Sequence, residues 1–121
     1  MTLAAGANEA QGGWWWNPQE PGRGFFLEWQ GKQLFMAGYM YDDGGNPVWY
    51  LSSNGTPSTN LQSYSNTWWQ YANGQTLTGA YRPAQQINNN VARVTIQFQG
   101  VDTGIMTLPG GRTTSIKRFR F

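Results

Sequence analysis

Six side chains of this 121-residue sequence carry a carboxylate: Glu9, Glu20, Glu28, Asp42, Asp43 and Asp102. With neither His nor Cys present, they are the first place to look for chemistry. Two facing carboxylates are enough to hydrolyse a glycoside. Here Glu9 lies in a small, polar N-terminal stretch, and most of the others fall in turn-like segments. No spacing sets two of them face to face. The lack of His and Cys removes Ser-His-Asp and Cys-His catalysis, disulfides, and the usual zinc and copper ligand sets. Asp42, Asp43 and Asn46 make an oxygen-rich turn, but calcium takes about six to eight oxygens and the EF-hand spacing is missing. The sequence therefore reads as a protein that binds rather than reacts, with no metal and no cofactor.

The residues best suited to binding are aromatic. Aromatics make up 16% of the chain, with seven Trp, while charged residues reach only 12% and the net charge is +2. In extended backbone, neighbouring side chains point to opposite faces. Within Trp14-Trp15-Trp16, Trp15 thus cannot share a face with its neighbours, and at least one indole must meet solvent, a ligand or another chain. The same holds for Trp68-Trp69, with Tyr71 on the face of Trp69. A large ring offers about 150–250 Å² of apolar surface and can stack on a sugar ring. Asn17, Asn66 and Gln70 are placed to bond the hydroxyls. The competing reading is that loops or an oligomer interface cover these rings.

Glu28 sits between Phe26 and Gln30. If that face is interior, the carboxylate needs a partner. Arg118 and Arg120, near the other end of the chain, are the candidates, giving either an ion pair that closes the fold or a polar floor for a ligand. An exposed Glu28 is the plainer alternative. The basic, aromatic tail Lys117 to Phe121 has features of single-strand nucleic-acid binders, but so low a net charge argues against that partner.

Strands must position these residues. No segment has a 3.6-residue apolar period, and short β-rich runs alternate with Gly, Pro, Asn and Asp. Arg23 to Gln30, Gln33 to Tyr41 and Val48 to Ser53 form an antiparallel meander, with Asp42 to Pro47 as a turn. Ser63 to Tyr71 and Thr76 to Arg82 read as strands joined at Asn73-Gly74, and Ala84 to Asn90 as a polar connection. Val91 to Gln99 alternates cleanly. Thr103 to Leu108 and Arg112 to Phe121 close a hairpin around Pro109-Gly110-Gly111. The expected fold is all-β, an antiparallel up-and-down barrel of about seven or eight strands, with a β-sandwich as the alternative. Closure removes edge strands, which few charges are available to guard. Residues 1–13 read as a flexible lead-in and 14–121 as one domain. No apolar run is long enough for a membrane helix.

From Gly13 to Gly55 the sequence has a recognisable form: Trp14-Trp15-Trp16-Asn17-Pro18, Gly22-Arg23-Gly24-Phe25, Glu28, Gln30-Gly31, Leu34-Phe35, Tyr39, Tyr41-Asp42, and Pro47 before Trp49-Tyr50. It resembles a group of modules found in secreted proteobacterial proteins, and the ending LPGGRTTSIKRFRF is similar to the tail of such modules. The resemblance implies a secreted or periplasmic β-module. It brings no catalytic or ligand assignment.

The function expected from the sequence is a non-catalytic carbohydrate-binding module. Trp14, Trp15, Trp16, Trp68, Trp69 and Tyr71 form its platform, helped by Asn17, Asn66 and Gln70, and its partner is a polysaccharide or oligosaccharide. A structural or self-assembly module, burying the same rings against another copy or an adjacent domain, is the first alternative. A calyx for a small apolar ligand is the second, with Ala37 and Gly38 leaving the void.

Overall fold

The computed structural model describes residues 10–52, 55 and 62–121. Eight strands run in sequence order: β1 (Gly13–Trp16), β2 (Gly24–Gln30), β3 (Gln33–Tyr41), β4 (Pro47–Ser52), β5 (Ser63–Ala72), β6 (Gln85–Phe98), β7 (Thr103–Thr107) and β8 (Thr113–Arg118). Each pairs antiparallel with the next, and β1 also pairs with β8 through Trp15↔Arg118 and Trp16↔Lys117. The result is a closed up-and-down barrel, as the strand pattern predicts.

Strand alternation divides the side chains between inside and outside. Trp15, Phe25, Leu27, Leu34, Met36, Tyr64, Trp68, Val94, Ile96, Phe98, Met106 and Ile116 fill the core. Polar groups are satisfied within it: Ser52 Oγ accepts the Met36 amide, and the Tyr64 hydroxyl donates to the Leu34 carbonyl.

Residues 10–13, expected to belong to a flexible lead-in, are packed. Residues 1–9 lie outside the described residues, but Ala10 is buried, the Gln11 amide bonds the Val101 carbonyl, and Trp15 Nε1 donates to the Gln11 carbonyl. Residues 10–13 thus belong to the barrel, because covering Trp15 removes a large apolar surface from water.

The second half departs further from expectation. Thr76–Arg82 is irregular, and the partner of β5 is the longer β6, which takes in most of the expected polar connection. Thr76 Oγ1 accepts the Gly79 amide, a local bond that competes with a strand ladder. Gln and Asn serve β6 because this part of the hairpin is exposed: Gln86 donates to the Tyr71 hydroxyl, and Asn73 to Gln85 Oε1. Asn73 itself turns the chain with a left-handed φ of 64°. The Asp42–Pro47 turn is an ordinary hairpin turn, in which Asp42 Oδ1 accepts the amides of Gly44 and Asn46.

Candidate functional site on the outer barrel face

The alternation that sends Trp15 inward sends Trp14 and Trp16 outward. The cross-strand registers then align successive outer positions. Trp14 pairs with Phe26, Phe26 with Ala37, Ala37 with Leu51, and Leu51 with Trp69. One level along, Tyr39 pairs with Trp49. Because a barrel presents one face inward and one outward, the outside of β1 to β5 carries a continuous aromatic sector. Outside β6 to β8 the corresponding residues are Arg93, Thr95, Gln97, Thr103, Ile105, Thr107, Thr113, Ser115 and Lys117, none of them aromatic. The aromatic surface is one-sided.

Its two flanks differ. Around β1 the rings pack on one another. Trp14 stacks on Phe119 at 4.3 Å and 9°, and leans on Phe26 at 5.9 Å. Trp16 meets Phe119 at 4.8 Å. Gly24 makes this packing possible, since a Cβ there would lie 2.5 Å from both Trp14 Nε1 and the Tyr39 hydroxyl. The Trp14 N–H faces Tyr39 without reaching hydrogen-bond geometry to any partner among the described residues. Burial raises the Tyr39 pKa above its ordinary 10.0, an effect the neighbouring indole N–H opposes.

Around β3 to β5 the rings are open to solvent. Trp49 is 49% exposed and Tyr41 61%, and at the border of the two flanks Phe26 on β2 is 49% exposed. Trp49 and Tyr71 lie nearly parallel, 3° apart with centroids at 6.1 Å. On the same outer face, toward the other end of β2 and β3 from Trp49, Glu28, Gln30, Gln33 and Phe35 line a shallow groove of about 230 Å³. Glu28 pairs with Phe35 and Gln30 with Gln33. This places hydrogen-bonding side chains beside an aromatic ring, in continuity with Phe26 two residues along β2.

Not all residues singled out from the sequence come together here. Trp15 is fully buried and Trp68 is 4% exposed, so neither stacks on an external ligand. Trp16, Trp69, Gln70 and Tyr71 are half-buried. Asn17 Nδ2 donates to Thr114 Oγ1 and its Oδ1 accepts the Gln19 amide, so it holds a loop at the barrel end. Asn66 shares the inward side of β5 with Tyr64 and donates to the Tyr64 hydroxyl.

The interior polar site is not formed. Glu28 is exposed on the outer face, while Arg118 Nε donates to the Gly12 carbonyl and Arg120 pairs with Asp102. The closing register aligns β8 with β1, not β2, which separates these arginines from Glu28. Ala37 faces outward beside Leu51. Gly38 faces inward, but Phe25, Met40 and Trp68 approach to 3.1 Å of where its Cβ would be, so neither residue leaves a void. Among the described residues no group of three or more His, Cys, Asp or Glu side chains gathers as a metal site. Glu20 is engaged by Arg23 and by Thr114.

The sequence alone leaves the face of Glu28 open, interior or exposed, and so does not single out the outer groove. The signal was present in the alternation Phe26, Glu28, Gln30 opposite Phe25, Leu27, Trp29. The buried set includes Phe25 and Leu27, which leaves Glu28 and Gln30 outside.

Comparison with protein-family models, curated proteins and solved structures finds no match to this chain.

Proposed function

We propose that the protein is a non-catalytic carbohydrate-recognition module that acts outside the cytoplasm and uses the outer face of β2 to β5. The observation that carries this reading is the alignment of solvent-facing rings with hydrogen-bonding side chains on one rigid surface. Phe26, Tyr39, Trp49 and Tyr71 supply apolar faces that match the C–H faces of pyranose rings. Glu28, Gln30 and Gln33 supply acceptors and donors for hydroxyls. Antiparallel strands in a closed barrel hold these groups without a conformational change, which lowers the ordering cost of binding.

The platform differs from the sequence expectation in membership. Trp49 and Phe26 replace Trp15 and Trp68, and the polar contribution moves from Asn17 and Asn66 to the β2–β3 edge of the sector. A polymeric or oligomeric glycan suits an extended, shallow surface better than a monosaccharide does, since an isolated sugar would touch too few rings.

Pull-down against insoluble polysaccharides and affinity electrophoresis in soluble ones test the reading. Retention on at least one glycan is expected, with at least a tenfold loss in Trp49→Ala and in Phe26→Ala at unchanged circular dichroism. A folded protein that ignores every glycan, or binding that both variants keep, overturns it. Self-association through the same rings is the competing outcome. It is recognised by a dimer in light scattering that Trp49→Ala dissolves.

A further inference from the structure

A second site lies at the barrel end formed by the β1–β2, β3–β4, β5–β6 and β7–β8 connections. Here the inward side chains stop short of closing the mouth, and a cavity of about 470 Å³ opens above the packed core. Its walls include Phe25, Trp68, Met40 and Met106, with Arg23 and Asp43 at the opening. Volumes of about 300–1,000 Å³ with apolar walls and a few polar groups are typical of small-molecule sites, and barrel mouths are a common place for them. Two methionines give the walls an adaptable, polarizable lining. Phe25 and Tyr50 both pack against Trp68, at 6.3 Å each, so the aromatic side is fixed in place.

The charges at the mouth indicate the ligand. Arg23 already bonds Glu20 at 2.7 Å, and Glu20 also accepts from Thr114. The guanidinium is therefore largely neutralised. Asp43 is solvent-exposed, where an ion pair adds little. An anionic head group would thus lose hydration at the mouth without gaining a free counter-charge, and a cationic one would gain only the solvent-screened carboxylate of Asp43. We propose that this cavity binds a small uncharged amphiphile, with an alkyl body inside the barrel and a hydroxyl-type head between Arg23 and Asp43. The site is separate from the outer aromatic face and does not depend on glycan binding.

The probe is N-phenyl-1-naphthylamine, an uncharged dye whose fluorescence rises in apolar surroundings. It is titrated into the full chain and displaced with straight-chain alcohols, octanoate and octylamine. Saturable 1:1 binding is expected. Alcohols should displace the dye with affinities rising roughly three- to fourfold per methylene up to the capacity of the cavity. Octanoate and octylamine should be at least tenfold weaker than octanol. Val91→Trp fills the mouth and should weaken dye binding at least tenfold with the barrel's circular dichroism intact. Met106→Phe, placed deeper, serves if Val91→Trp does not fold. Trp49→Ala should leave dye binding unchanged. The proposal is overturned if the folded protein does not bind the dye saturably or if charged amphiphiles compete as well as octanol. Binding that survives a folded cavity-filling variant, or that Trp49→Ala abolishes, overturns it as well. Glycan retention by the cavity-filled variant reports on the outer face alone, so failure of one site is distinguishable from failure of the other.

Discussion

The indole of Trp14 and the ring of Phe119 lie 4.3 Å apart, with planes 9° from parallel. The residue that follows the last strand is thereby laid against the first strand, and the Phe119 amide donates to the Trp14 carbonyl. Barrel closure is short in register, with two aligned pairs between β1 and β8, so this aromatic contact reinforces a seam with few ladder bonds. Phe119→Ala should destabilise the protein by about 1–3 kcal/mol. Chemical denaturation followed by tryptophan fluorescence measures it. A change below about 0.5 kcal/mol would show that the ladder alone holds the seam.

The neighbouring ion pair should behave differently. Arg120 and Asp102 lie at the surface, and exposed pairs contribute about 0–1 kcal/mol. Arg120→Ala is expected to shift stability by no more than that, and the shift should shrink in high salt.

Gly24 has a Cβ-sized space already occupied by Trp14 Nε1 and the Tyr39 hydroxyl, each 2.5 Å from the position a methyl would take. Gly24→Ala must displace one of two packed rings. A loss of about 1–3 kcal/mol is expected, the usual range for overpacking. The near-ultraviolet circular dichroism of the aromatic cluster should change with it. The double variant Gly24→Ala/Tyr39→Phe, which removes the hydroxyl, should recover part of the loss.

Ser52 Oγ accepts the Met36 amide at 2.9 Å inside the barrel, and the Tyr64 hydroxyl lies 3.4 Å from the same oxygen. Ser52→Ala leaves a buried N–H without that acceptor. The expected cost is about 1–3 kcal/mol. Hydrogen exchange should show the Met36 amide exchanging faster in the variant.

Tyr39 gives a pH signature. Burial raises its pKa above 10.0, so above that pH the unfolded chain releases the phenolic proton before the folded chain does. The folded state then holds more protons, and stability must fall as pH rises. Below pH 10 both states keep the proton and the effect is absent. Urea midpoints measured from pH 8 to 11 should drop at the alkaline end, and Tyr39→Phe should flatten that drop.

How much of this was legible in advance differs between the two halves of the chain. In β2 the alternation of Phe25 and Leu27 with Phe26 and Glu28 marked a strand, and the Asp42–Pro47 turn separated β3 from β4, because its residues accept tight backbone geometry. In β6 the same rules misled. Gln85 to Asn90 is polar apart from Ile87, which is itself exposed, because this end of the hairpin has no core to face. Its strand character comes from pairing with Gln70 and Tyr71 in β5, a partnership that only the folded chain provides.

By itself, the sequence determined that the fold is antiparallel all-β, with barrel and sandwich both open, and that Trp14 and Trp15 must part company across a sheet. Both follow from local backbone geometry and turn chemistry. The tertiary structure decided which face is core. Closing β8 onto β1 turned Trp15 inward with Phe25 and Trp68, and turned Glu28 outward beside Phe35. A period-two pattern marks two faces but not which of them meets water. That choice depends on the summed apolar area of all eight strands at once.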